Sequence, residues 1–130
     1  MEKTYALESD GSQAGSQLQT VTIDNVYDDY DNPTSISVTT SGGGKNFQKV
    51  TTNSYLASGL DSTYSQEKGH LSETTVVSKR DEDGDTSYEL SSTRTSSFTY
   101  YTSGYLKGLL ATKTSSAKQR VSLFLQYCLS

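Results

Sequence analysis

Val26-Tyr27-Asp28-Asp29-Tyr30-Asp31-Asn32-Pro33-Thr34-Ser35-Ile36-Ser37-Val38 joins two strand-like runs through a turn. Upstream, Val21, Ile23 and Val26 set an apolar rhythm. Downstream, Ile36 and Val38 alternate with Ser and Thr, the period-2 pattern of a half-buried strand. Asp, Asn and Pro between them are turn formers: the two side chains hydrogen-bond their own backbone, and proline fixes its φ. The stretch therefore predicts a β-hairpin with polar outer faces.

Working outward, strand signals alternate with turn signals along the rest of the chain. Leu18 to Tyr27, Thr34 to Thr40 and Phe47 to Tyr55 read as three strands of a meander, with Gly42-Gly43-Gly44 as the second turn. A second set begins at Gly69-His70-Leu71, breaks at Asp81-Glu82-Asp83-Gly84-Asp85 and resumes from Thr86 to Tyr101. Asp83-Gly84 is a two-residue hairpin signal. A third set runs from Gly108 to Thr114 and again from Val121 to Tyr127, where Val121, Leu123, Leu125 and Tyr127 alternate. No segment has sustained helical spacing, so an all-β fold of repeated antiparallel hairpins with little helix is expected.

Residues 1–17, rich in Ser, Gln, Gly and Glu, read as a flexible N-terminal segment, and 18–130 as a hairpin repeat region of about three units. Gly69 and Gly108 are 39 residues apart, Asp31 and Gly69 are 38 apart, and tyrosines precede each of them: Tyr27, Tyr64 and Tyr101. Recurrence near 40 residues is the period of stacked hairpins or blades.

Composition restricts what such a fold contains. Of 130 residues, 32% are hydrophobic, with no Trp, 3 Phe and 1 Met, so a thick conventional core is not expected. Hydroxyls take its place: 22 Ser and 18 Thr, with 10 Tyr as the main large side chains. The net charge of -4 and dispersed Lys and Arg argue against nucleic acid. No apolar run reaches the roughly 20 residues of a membrane-spanning helix. One Cys, Cys128, excludes an intrachain disulfide.

The chemistry-bearing residues read as architecture. Asp81-Glu82-Asp83-Gly84-Asp85 lacks the glycine and glutamate spacing of an EF-hand loop and is a solvated hairpin tip. Asp28, Asp29 and Asp31 are turn formers by the same weighing. Gly42-Gly43-Gly44-Lys45 fails the phosphate-loop spacing. His70 is the only histidine, and serine is so abundant that a Ser/His/Asp combination arises by chance. No catalytic residue, no metal site and no cofactor is expected, and the chain is read as a non-enzyme.

The Tyr27-Asp28 turn, the two Tyr…Gly-x-Leu units and the Ser/Thr-rich strands resemble the YD repeats of the Rhs family, over roughly residues 18 to 123. The repeat core there is Tyr-Asp, a few residues, then Gly-Asn and a strand. Here Asp31-Asn32 stands where Gly-Asn is usual, and aspartate tolerates positive φ better than most non-glycine residues. The resemblance names Tyr27, Asp28, Asp31, Asn32, Tyr64, Gly69, Leu71, Tyr101, Gly108 and Leu110 as the structural motif.

It implies a segment of a β shell that encloses or presents a toxin or partner polypeptide, in a secreted or cell-surface bacterial protein. The implied partners are neighbouring repeats or a toxin polypeptide, with self-association through an edge strand as a further possibility. A different class remains open beside it: an extracellular β-sandwich binding module that recognises glycans or a protein through surface tyrosines, with a closed two-sheet core.

Overall fold

The computed structural model describes residues 2–7, 13–56 and 69–121, with side chains from residue 19 onward. Seven strands follow one another: β1 (Glu2–Leu7), β2 (Gln13–Tyr27), β3 (Pro33–Gly42), β4 (Lys45–Tyr55), β5 (Leu71–Asp81), β6 (Leu90–Tyr100) and β7 (Leu110–Val121). Each pairs antiparallel with its neighbour in sequence, giving one sheet of consecutive hairpins in the order β1 to β7. No helix longer than a single 3₁₀ position occurs among the described residues.

Two strand boundaries differ from the sequence reading for backbone reasons. Within the 1–17 segment, β1 pairs Glu2, Lys3 and Thr4 with Val21, Thr20 and Gln19. Main-chain N–H and C=O groups on the outer edge of β2 take a partner whatever its side chains are. Likewise β7 is one unbroken strand, although Ser115-Ser116-Ala117-Lys118-Gln119-Arg120 carries almost no apolar signal. Its register against β6 is continuous from Leu90↔Val121 to Thr99↔Thr112. The alternation from Leu123 to Tyr127, with Cys128, lies outside the described residues.

Residues opposite each other on paired strands share a face, so the register sorts the whole sheet. On one face lie Val21, Ile23, Ile36, Val38, Phe47, Val76, Leu90, Phe98, Ala117 and Val121. On the other, Val26 and the facing pair Val50 and Val77 stand among hydroxyls, as in the row Ser35, Thr52, Thr75, Thr95, Ser116.

The described residues cover neither face. Among the described residues no hydrophobic side chain is buried, and only Asp81 and Ser96 are. The closed two-sheet core of a sandwich is therefore not formed by these strands. Cohesion comes from the main-chain ladder and from hydroxyl pairs across it. Thr75 and Thr95 Oγ1 lie 3.2 Å apart, Ser96 and Ser115 Oγ 2.9 Å, and Thr99 and Thr112 Oγ1 2.6 Å. β-branched threonine suits this role, since its methyl packs on the pleat while its hydroxyl bonds sideways.

Candidate functional site

The connections alternate between the two ends of the sheet, and each end has its own chemistry. At one end, the β2–β3, β4–β5 and β6–β7 turns are closed by the same device. Tyr27 pairs with Pro33, Tyr55 with Leu71 and Tyr100 with Leu110, each just after a register shift in its strand. The residue after each tyrosine region then closes the loop: Asp28 N–H donates to Asn32 O (3.0 Å), Leu56 N–H to His70 O (2.9 Å) and Tyr101 N–H to Leu109 O (3.0 Å).

The tyrosine hydroxyls repeat a contact as well. Tyr55 Oη donates to the carbonyl of Pro33 (3.0 Å), and Tyr100 Oη to that of Leu71 (2.8 Å). Each reaches the first residue of the preceding strand. Among the described residues the tyrosines in these equivalent positions are Tyr27, Tyr55 and Tyr100. Tyr64 lies outside the described residues, and Tyr101 is the residue that closes its loop.

The other motif residues gather at this end. Asp28 Oδ1 accepts from the N–H groups of Tyr30 and Asn32, both at 2.9 Å, and Oδ2 from Asn32 Nδ2 at 3.0 Å. The Asn32 side-chain bond, partly opposed by desolvation and helped by the two backbone donors, holds the Asp28 carboxyl below the usual range. Asp31 sits at φ 62°, and Gly108 at φ 85°. Gly69 is not in that region. It lies against Asn32, whose Oδ1 would be 3.4 Å from a Cβ there. Leu71 and Leu110 each begin a strand, the second half-exposed.

His70 links two of the turns. Its Nε2 lies 3.1 Å from Gly108 O and must donate there, because a carbonyl only accepts. Its ring meets Tyr100 edge to face, centroids 4.7 Å apart at 88°. Both contacts hold hairpins side by side. Beyond this core, Tyr27, Tyr30, Tyr101 and Tyr105 stand exposed at the same end.

At the opposite end, Gly43 (φ 61°) and Gly44 (φ 71°) form the two-residue β3–β4 turn between paired Gly42 and Lys45. Two successive positive φ values are what a tight hairpin of right-handed twist demands. The β5–β6 connection is not the two-residue hairpin that Asp83-Gly84 signals; it spans residues 82–89. Asp81 explains the difference. Its Oδ1 accepts from Asp83 and Gly84 N–H, its Oδ2 from Thr86 N–H and from Asn46 Nδ2, so the loop is wound around one carboxylate.

Carboxylate oxygens of Asp81, Asp83, Asp85 and Glu89 come within 4.8 Å of one another. Such oxygens are the donor type of a hard divalent cation. Of the four donors already on Asp81, three are N–H groups of the loop and the fourth is Asn46 of β4. The Asn46 bond chiefly holds Asp81 low, and the Ser87 side-chain bond does so for Asp85. Asp83 differs: the Asp85 N–H draws it down, but desolvation and the charges of Asp85, Glu89 and Asp81 outweigh that and raise it. Glu82 points elsewhere, bridging Lys45 (3.0 Å) and Arg80 (3.3 Å).

Sequence spacing missed the face that joins these two ends. Depressions of about 670 Å³, lined by Lys49, Val76, Ser78, Ser92, Arg94 and Gln119, and about 540 Å³, lined by Thr40, Phe47 and Arg80 among others, open on the more apolar side. Only cross-strand register brings Lys49 and Arg94, 45 residues apart in sequence, to one surface. No helix among the described residues is long and apolar enough to cross a membrane. No protein-family model, curated protein or solved structure matches this chain.

Proposed function

We propose that this chain is a non-enzymatic scaffold: a segment of β wall, of the Rhs/YD-repeat kind, that encloses or presents another polypeptide in a secreted or cell-surface setting. The observation that carries the reading is the uncovered sheet. A domain that works alone buries the apolar face of its sheet against a second layer. Among the described residues that face is left open along six strands, and the chain's low apolar fraction, 32%, leaves little material for a second layer. The three identically closed turns support the repeat part of the reading, since each adds one hairpin side by side with the last.

Amide hydrogen exchange on the purified chain, together with sedimentation velocity, tests it. A wall segment exchanges rapidly on its own except in the central strands, or self-associates through β1 or β7. Strong protection from β2 through β7 in a monomer with one cooperative unfolding transition overturns the reading, because that is a self-sufficient domain.

The exposed tyrosines at one end favour a second reading, recognition of glycans by stacking on Tyr30 and Tyr105. A glycan array distinguishes the two. Binding lost in Tyr105→Ala supports recognition, and no binding across a broad array removes it.

A further inference from the structure

The two faces of the sheet carry different charge. On the hydroxyl-rich face, Asp24, Glu73 and Asp81 balance Lys79, Lys118 and Arg120. On the apolar face, the paired positions of β2 to β7 hold Lys45, Lys49, Arg80, Arg94 and Lys113 and no carboxylate, while Glu2 of β1 pairs with Val21 at the outer edge of this side. Glu82, just past the end of β5, engages Lys45 and Arg80. Lys49, Arg94 and Lys113 have no carboxylate partner among the described residues; Lys113 lies over the Phe98 ring, 5.8 Å from its centroid. This concentration of positive charge occurs on a chain whose net charge is -4.

We propose that the apolar face is a docking surface for an acidic polypeptide segment with apolar side chains between its carboxylates. Charge complementarity selects that occupant. Arg94 flanks the 670 Å³ depression opposite Lys49, with Ser78, Ser92 and Gln119 as polar neighbours and Val76 as apolar floor. A guanidinium there offers a carboxylate two parallel hydrogen bonds. Apolar side chains of the segment then cover Val76 and its neighbours, each removing surface from water.

A second copy stacked on this face would set Lys49, Arg94 and Lys113 against the same cations, and like charges opposed across an interface are unfavourable. Polyphosphates match the cations but not the apolar rows between them. The proposal rests on the scaffold reading and names the face that holds the partner and that partner's chemistry.

The test is fluorescence anisotropy with the full chain and three labelled probes: a soluble peptide alternating glutamate with leucine, its lysine–leucine counterpart, and single-stranded DNA. Binding of the glutamate–leucine peptide is expected, weakened about tenfold or more by Lys49→Glu with Arg94→Glu. Lys79→Glu with Arg120→Glu, on the other face and outside that depression, is expected to leave it unchanged. Circular dichroism checks that each exposed-site variant keeps its sheet. Failure of the acidic peptide to bind, equal loss from substitutions on either face, preference for DNA, or a dimer dissolved by the Lys49/Arg94 variant overturns the proposal. Self-association or fast exchange of the isolated chain without acidic-peptide binding leaves the scaffold reading standing while this one falls.

Discussion

The Tyr100 hydroxyl donates a 2.8 Å hydrogen bond to the carbonyl of Leu71, and Tyr55 makes the same bond to Pro33 one hairpin earlier. In a sheet without a buried core, each is a lock between the end of one strand and the start of its neighbour. Tyr100→Phe and Tyr55→Phe keep the ring and remove only the donor, so each is expected to cost about 1 kcal/mol. The sites share no partner, and the double variant should lose close to the sum in urea denaturation.

Burial raises the Tyr100 phenol above its ordinary value. The folded state therefore prefers the protonated form. Its stabilising contribution is complete below the unfolded tyrosine value, about 10, and is lost as pH rises through the higher folded one. Denaturation midpoints measured from pH 9 upward should fall, and Tyr100→Phe should remove part of that fall.

At the acid side, Asp28, Asp81, Glu82 and Asp85 are all held below their ordinary values, by Asn32, Asn46, Lys45 and Ser87 respectively in the first place. Their contribution is present above the unfolded carboxylate range of about 4 and disappears as pH falls through the lowered folded values. Asp83 is raised and acts in the opposite sense. Thermal midpoints should drop below pH 4, and Asp81→Asn should flatten the drop while lowering the midpoint at neutral pH.

Glycines at the turns are not equivalent. A Cβ on Gly84 would stand 2.5 Å from the Gly44 carbonyl oxygen, and its φ is +81°; Gly104, at +73°, has open space around it. Gly84→Ala should cost about 2 kcal/mol or more, and Gly104→Ala about 1 kcal/mol from φ alone. Chemical denaturation of the two variants measures the difference, which reports how firmly the two turns of that end are stacked.

Asp31 occupies a left-handed conformation at φ 62°. Asp31→Gly should therefore be neutral or slightly stabilising, whereas Asp31→Val should cost about 1–2 kcal/mol. A stable valine variant would mean that the turn adopts another backbone path.

Sheet character was legible because alternation at Ile36 and Val38, and turn chemistry at Asp28, Asn32 and Gly43-Gly44, are local properties of the chain. The positive φ at Asp31 follows from the same local logic. The tyrosine register was not legible. Spacing points to Tyr64 and Tyr101; among the described residues the pairing puts Tyr27, Tyr55 and Tyr100 in equivalent positions, each beside a register shift that changes the count by an amount no periodicity reveals. The tight hairpin signalled by Asp83-Gly84 gave way to an eight-residue loop because Asp81 gathers the backbone donors around itself, with Asn46 of a different hairpin completing the set.

Lys and Arg are dispersed along the chain, with no basic run in the sequence. Cross-strand pairing projects Lys45, Lys49, Arg80, Arg94 and Lys113 from β4, β5, β6 and β7 onto one side, while the carboxylates of these strands fall on the other beside Lys79, Lys118 and Arg120. The sequence by itself determined that this protein is built of hairpins and holds little apolar material for a second layer, since both follow from local pattern and composition. Tertiary structure alone decided which tyrosines lock the turns and which face carries an excess of positive charge, because register is a property of strand pairs and no single strand encodes it.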